Sequence, residues 1–155
     1  MDTRKLPALL PPIADLLPHS APMVLLDAIS LWDQQTIRCL TQSHLLPDNP
    51  LRDGGVLSVF AGVEYAAQAM AIHARLLDSA TADIPPRKGF LAVASKLNAN
   101  VDVLDHIAAP IQVEANMLAH NTDSSLYAFS LTADGQTLLS GQLTAVIISD
   151  TSSRP

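Results

Sequence analysis

Apolar positions change their period several times along the chain, and each change marks an element. Between Leu6 and Leu17, three prolines precede the short helical run Ile13-Ala14-Asp15-Leu16-Leu17. Pro18 and Pro22 then bracket His19-Ser20-Ala21 as an extended or turned connection, because proline fixes its own φ and restricts the residue before it. Met23 to Leu31 is apolar apart from Asp27 and Ser30, which predicts a buried strand. Thr36 to Gln42 alternates as its partner, with Asp33-Gln34-Gln35 as the turn. A loop from His44 to Gly55 carries Pro47, Pro50 and the pair Gly54-Gly55. It leads into the longest non-β segment, Ser58 to Leu77, where six alanines (Ala61, Ala66, Ala67, Ala69, Ala71, Ala74) are spread over nearly every face. Such a pattern predicts a helix approached closely by neighbours all round, with Ser58 as its N-cap. After the loop Asp78–Lys88, with Pro85-Pro86, four strands are expected: Gly89–Leu97, Ile111–His120, Ser125–Ala133 and Gln136–Ile148, the last bulged at Gly141. Ile111, Val113, Ala115, Met117 and Ala119 alternate with polar residues over most of their run, the mark of a half-buried strand. Asp134-Gly135 between two such runs predicts a two-residue hairpin.

Two strands, one long helix and four further strands make an α+β arrangement, a single central helix against an antiparallel sheet that must curl around it. One domain over residues 1–149 is expected, with residues 150–155 as a disordered tail. Composition adds a partner to this picture. Hydrophobic residues make up 48% and charged residues 15%, so much of the surface is uncharged and suits burial in a homodimer or higher homo-oligomer. A net charge of −6 without a Lys/Arg cluster argues against nucleic acid. The apolar runs are too short to span a membrane, and Met1 to Leu10 lacks a signal-peptide core, so a cytoplasmic location is expected. Cys39, the one cysteine, permits no internal disulfide and no Cys-rich metal site; within a strand it reads as a small core residue.

Candidate chemistry concentrates on Glu64, the single carboxylate or cation between Asp53 and Arg75. An unpaired carboxylate in apolar surroundings favours its protonated form, and that is what a general acid or base near neutrality needs. The alternative is a solvent-facing Glu favoured by the helix dipole. Gln68 lies at i+4 on the same face, where it could orient the carboxylate or serve as a structural amide. Of the five histidines, His19 and His44 occupy loops, His73 the late helix, His106 a loop and His120 a strand end, and none has metal-ligand spacing with another. Two flanking prolines preorganise His19. Gly54-Gly55 is a turn signal rather than a phosphate loop, and Ser95 and Ser140 lack a nucleophile-elbow context.

These residues carry a resemblance. Residues 13–29, IADLLPHSAPMVLLDAI, resemble the opening of the bacterial 3-hydroxyacyl-acyl-carrier-protein dehydratases, with their Leu-Leu-Pro-His, then Pro, then a Leu/Val-rich strand ending in Asp. Glu64-Tyr65-Ala66-Ala67-Gln68-Ala69 is similar to their Glu-Ala-x-Ala-Gln-Ala helix, and Gly89-Phe90-Leu91-Ala92-Val93-Ala94-Ser95-Lys96 looks like the strand that follows it. The resemblance covers nearly the whole chain. It implies the hotdog fold and the removal of water from a 3-hydroxyacyl thioester to give a trans-2-enoyl product. It implies a substrate carried on the phosphopantetheine arm of acyl carrier protein, without a further cofactor or metal. It also implies a dimer in which a histidine of one subunit faces the helix carboxylate of the other. Glu64 matches that carboxylate, which acts on the leaving hydroxyl while the histidine takes the C2 proton. Asn49, Gln68, Gly89 and Phe90 are expected to contact substrate.

The chain departs from the family at the histidine. The family's Gly-His-Phe-Pro loop falls in register with Pro50, preceded by Asn49, and no histidine stands there. The loop with Pro50-Leu51, Gly54-Gly55 and then Gly62-Val63-Glu64-Tyr65 is more similar to the dehydratase-like branch of aryl polyene pathways. Three expectations follow: His19, ahead of His44, supplies the base from another loop; Asn49 positions substrate; or the subunit binds an acyl chain without catalysis beside a second dehydratase. An acyl thioesterase is a further alternative, since a lone helix carboxylate in this fold can activate water. Because acyl carrier proteins are acidic like this chain, docking needs a local basic patch, for which Arg52, Arg87 and Lys88 are candidates against the plainer reading of solubilising charge.

Overall fold

A computed structural model describes residues 13–17, 23–80 and 89–148. His19, Arg87, Lys88 and the tail 150–155 lie outside these residues, as do the side chains of residues 89–91. The short helix α1 (Ile13–Leu16) precedes strands β1 (Ala28–Trp32) and β2 (Thr36–Thr41). One long helix follows, α2 (Gly62–Ala80), entered through a tight 3₁₀ turn at Val59–Ala61. Strands β3 (Gly89–Ala99), β4 (Ile111–His120), β5 (Ser124–Ala133) and β6 (Gln136–Ile148) complete the chain. All six strands form one antiparallel sheet in the order β1-β2-β4-β5-β6-β3. With α2 against β2, β4 and β5 this is the α+β hotdog fold, and β3, though third in the chain, ends at an edge of the sheet.

Local chemistry accounts for most of these elements. Ser58 caps the helix entry, its Oγ accepting from the Phe60 backbone N–H. Asp134 and Gly135 both take positive φ (55° and 79°), the conformation a two-residue hairpin requires, and they join β5 to β6. Inward positions Ile111, Val113 and Ala115 of β4 and Phe129, Leu131 and Ala133 of β5 share one buried cluster with Tyr65, Ala69, Met70 and Ile72 of α2. Cys39 is fully buried in that cluster, and burial pushes its thiol up to about 12.

Two expectations need correction. The first strand begins at Ala28 rather than Met23, because the Met23 carbonyl and Leu25 N–H bond to the Gln68 side chain instead of to a neighbouring strand. At Gly141 the β5–β6 register runs through undisturbed; the irregularity lies opposite, in β3 between Ser95 and Asn98, where Lys96 takes φ 55°. Gly141 permits that bulge, since a Cβ there would meet the Ser95 carbonyl at 3.1 Å and a Leu97 methyl at 2.7 Å.

Candidate active site on the long helix

The close approach expected on every face of α2 holds for all but one stripe. Phe60 of the 3₁₀ turn and Val63, Glu64 and Ala67 of the first turns of α2 recur at three- and four-residue spacing, so they share a face, and each is exposed or only half-buried. Beyond Ala67 this face closes over the buried Met70 and Ala71. Phe60 retains 53% of its surface. Glu64 is exposed on this otherwise apolar stripe, and no ion pair or hydrogen bond among the described residues involves it. Gly62, two residues earlier, lets the first turn press on the sheet: a Cβ there would lie 2.8 Å from methyls of both Leu131 and Leu139. The carboxylate therefore stands on the open side of a helix seated firmly on its other side. The burial expected for it from isolation in sequence is not provided by the single chain.

Beside the stripe runs a buried polar network. Tyr65 is fully buried, and its hydroxyl lies 2.8 Å from Ser43 Oγ and accepts from Asn49 Nδ2 at 2.9 Å. Burial pushes the Tyr65 phenol above its ordinary range, against the pull of the Ser43 and Asn49 hydrogen bonds. The second Asn49 N–H goes to the Ser43 carbonyl, and Asn49 Oδ1 accepts from Leu51 N–H. Both Asn49 donors are thus taken up inside the protein, and the residue is only 5% exposed. Gln68, 1% exposed, accepts from Leu25 N–H at 2.9 Å and donates to the Met23 carbonyl. The structure places these two expected substrate contacts in the wall behind Glu64. Ser43 and Tyr65 escaped sequence reasoning, although a phenol next to the lone helix carboxylate was a signal that could have marked them.

The described histidines divide by burial. His44 Nε2 donates to the Ile107 carbonyl at 2.8 Å, and its Nδ1 makes no hydrogen bond; burial holds its pKa below the ordinary value, opposed by the Ile107 and Ala109 backbone. His73 Nε2 donates to the Asp33 carbonyl while Nδ1 accepts from the Tyr127 hydroxyl, and burial again lowers its pKa. His120 is exposed and bonded to Ser125, and His106 projects from a loop with its side chain 80% exposed beside Asp105. Arg52, expected as a docking cation, is turned inward: it donates to the carbonyls of Leu46, Gly55 and His44 and lies 3.8 Å from the Asp105 carboxylate. Asp105 in turn accepts from Leu57 N–H, which holds its carboxyl below the usual range. This fork closes the loop that leads into α2.

A family model described as ApeP-like, ApeP dehydratase, matches residues 11–153. No curated protein matches the chain. Among solved structures, the fold is similar to that of the dehydratase heterocomplex ApeI:P from Xenorhabdus doucetiae, with TM-score 0.82 at 18% identity over 91% of this chain and 93% of that one. It is also similar to AziG from S. sahachiroi, with TM-score 0.56 at 13% identity over 86% and 98% of the two chains. A variant of a thioesterase from Pseudomonas aeruginosa gives TM-score 0.52 at 14% identity over 91% and 98%.

Proposed function

The chain belongs to the ApeP-like dehydratase family, and on that premise we propose that it is a 3-hydroxyacyl-acyl-carrier-protein dehydratase with Glu64 as its acid. The observation that carries this reading is the exposed Glu64 carboxylate, without a partner among the described residues, on an apolar face of α2. A substrate or second chain laid over that face would bring an acyl thioester against the carboxylate and exclude water from both. Protonated Glu64 delivers its proton to the C3 hydroxyl, the C3–O bond breaks and water leaves. A base removes the C2 proton, and the electron pair of that C–H bond becomes the C2=C3 double bond. The thioester stays intact, no redox change occurs, and the elimination itself calls for no cofactor beyond the carrier arm that holds the substrate. For the base we propose His19. Its support is the proline-flanked segment of sequence that carries it and the engagement of His73, the histidine on α2, whose two ring nitrogens are taken up by the Asp33 carbonyl and the Tyr127 hydroxyl.

The partner surface we propose is β3. It is an edge strand of eleven residues whose outer backbone faces no other strand among the described residues, and Val93 on it keeps 63% of its surface. Pairing with another hotdog chain would satisfy that edge. Whether the second chain is a copy or a different subunit bears on activity. The similarity to a two-chain dehydratase complex favours a second reading, in which this chain is one half of a heterocomplex.

The test is turnover of a 3-hydroxyacyl thioester followed by enoyl absorbance and by free-thiol release. Glu64→Gln is expected to abolish enoyl formation while circular dichroism stays native; unchanged turnover rules out the proposed role. Thiol release without enoyl product indicates a thioesterase. Inactivity alone with activity on mixing with a second dehydratase subunit indicates the heterocomplex reading.

A further inference from the structure

We infer that Tyr65 is a positioning residue that fixes the direction of the Glu64 carboxylate, acting through a closed circuit of hydrogen bonds from α2 to the segment before β1 and back to α2. The inference rests on Glu64 being the reactive acid.

Proton accounting orients the circuit. Ser43 has a single hydroxyl hydrogen, and the Leu25 carbonyl at 2.7 Å is its acceptor. The Tyr65 hydroxyl, already accepting from Asn49, therefore donates to Ser43 Oγ. Leu25 closes the loop, because its own N–H donates to Gln68 Oε1. Thr41 Oγ1 donates to the same Leu25 carbonyl at 2.6 Å, and Gln68 Nε2 holds Met23. The helix is thus pinned at Tyr65 and again at Gln68, on the turn that begins with Glu64. Four of the six buried polar residues among those described (Thr41, Ser43, Asn49, Gln68) belong to this circuit. A phenylalanine would fill the Tyr65 site but leave the Asn49 amide and Ser43 Oγ without this partner, so the hydroxyl rather than the ring completes the circuit.

What two pins on one turn restrain is roll of α2 about its axis. Side-chain ends lie roughly 5–6 Å from a helix axis, so a roll of about 10° swings the carboxylate by about 1 Å. A displacement of that size at reacting atoms can lower a rate by roughly a hundredfold. The Gly62 contact with Leu131 and Leu139 sets the height of the helix over the sheet, and the His73 bonds to Asp33 and Tyr127 hold the helix about two and a half turns beyond Glu64.

The experiment is steady-state kinetics on the full chain for Tyr65→Phe, Ser43→Ala and Tyr127→Phe. Tyr127 is a matched control for position: its buried phenol also bonds to α2, but at His73, about two and a half turns beyond Glu64 and outside the circuit. Tyr65→Phe is expected to lower kcat tenfold or more with KM changed less than twofold. Ser43→Ala, which breaks the circuit without altering α2, is expected to show the same kcat-selective loss. Tyr127→Phe is expected to lower the melting temperature comparably while kcat stays at wild type. Wild-type kcat in Tyr65→Phe and Ser43→Ala, or an equal loss in Tyr127→Phe, overturns the inference. A dead Glu64→Gln beside a fully active Tyr65→Phe refutes the positioning role alone, whereas a fully active Glu64→Gln removes the catalytic reading beneath it.

Discussion

His73 shows how a single residue links burial to pH. Both ring nitrogens are satisfied only in the neutral form, with Nε2–H on the Asp33 carbonyl and the Nδ1 lone pair facing the Tyr127 hydroxyl. Protonation would turn Nδ1 into a second donor, and burial already disfavours the charge, so the folded pKa lies below the ordinary value. The unfolded chain takes up that proton near pH 6.5, whereas the fold refuses it. Stability is therefore full above about pH 6.5 and declines as the pH falls below it, by up to about 1.4 kcal/mol per pH unit for one histidine. His44, lowered for the same reason, adds to the slope. Melting temperature is expected to fall between pH 7 and pH 5, before the carboxylates titrate; a flat profile over that window would contradict the neutral, buried assignment. His73 sits late in a helical pattern and could be seen as inward-facing, but its two partners come from the β1–β2 turn and from β5, which no local pattern reveals.

At the scale of elements, two glycines seat the secondary structure, and their replacements differ in cost. Alanine at Gly62 would press on Leu131 and Leu139 methyls, the far ends of flexible side chains that can turn aside. Alanine at Gly141 would meet the Ser95 backbone carbonyl and the Phe129 ring, neither of which yields easily. Overpacking of this kind costs about 1–3 kcal/mol, and a helix gains up to about 1 kcal/mol from Gly→Ala. Gly62→Ala is expected near the low end, and Gly141→Ala at the high end, in urea unfolding. Equal midpoints for the two variants would show that the β3 bulge relaxes freely. The hairpin at Asp134-Gly135 was legible because its two residues alone carry the required backbone signs. The start of β1 was not, because Met23 and Leu25 bond to the Gln68 side chain of α2 rather than to a strand.

For the whole molecule, the open stripe on α2 and the edge of β3 are two surfaces that one chain leaves uncovered. Phe60 and Val93 are each more than half exposed, and Val146, beside β3, keeps 45%. Such exposure, in a chain with 15% charged residues, is expected to drive association. Sedimentation of the wild type is expected at twice the chain mass or above, alone or with its partner subunit. Val93→Lys, which places a charge on the edge strand, is expected to shift it toward one chain mass and to reduce turnover in parallel. A Val93→Lys protein that keeps its assembly and its activity would exclude β3 as the joining edge. No helix among the described residues is long and apolar enough to cross a membrane.

Alternation, turn residues and the apolar helix determined the order of elements, the α+β class and the choice of Glu64, because each of these depends on residues near one another in the chain. Tertiary structure alone decided what lies against them. Asn49 and Gln68 carry amides that spacing can place on a face, but only the fold shows that Ser43, Tyr65, Leu25 and Met23 consume them. Arg52 carries a charge that sequence reads as available, yet three carbonyls and Asp105 surround it. Glu64 is the remaining case: its isolation is written in the sequence, and its surroundings depend on what covers the open face of α2, because burial is a property of neighbours rather than of the residue.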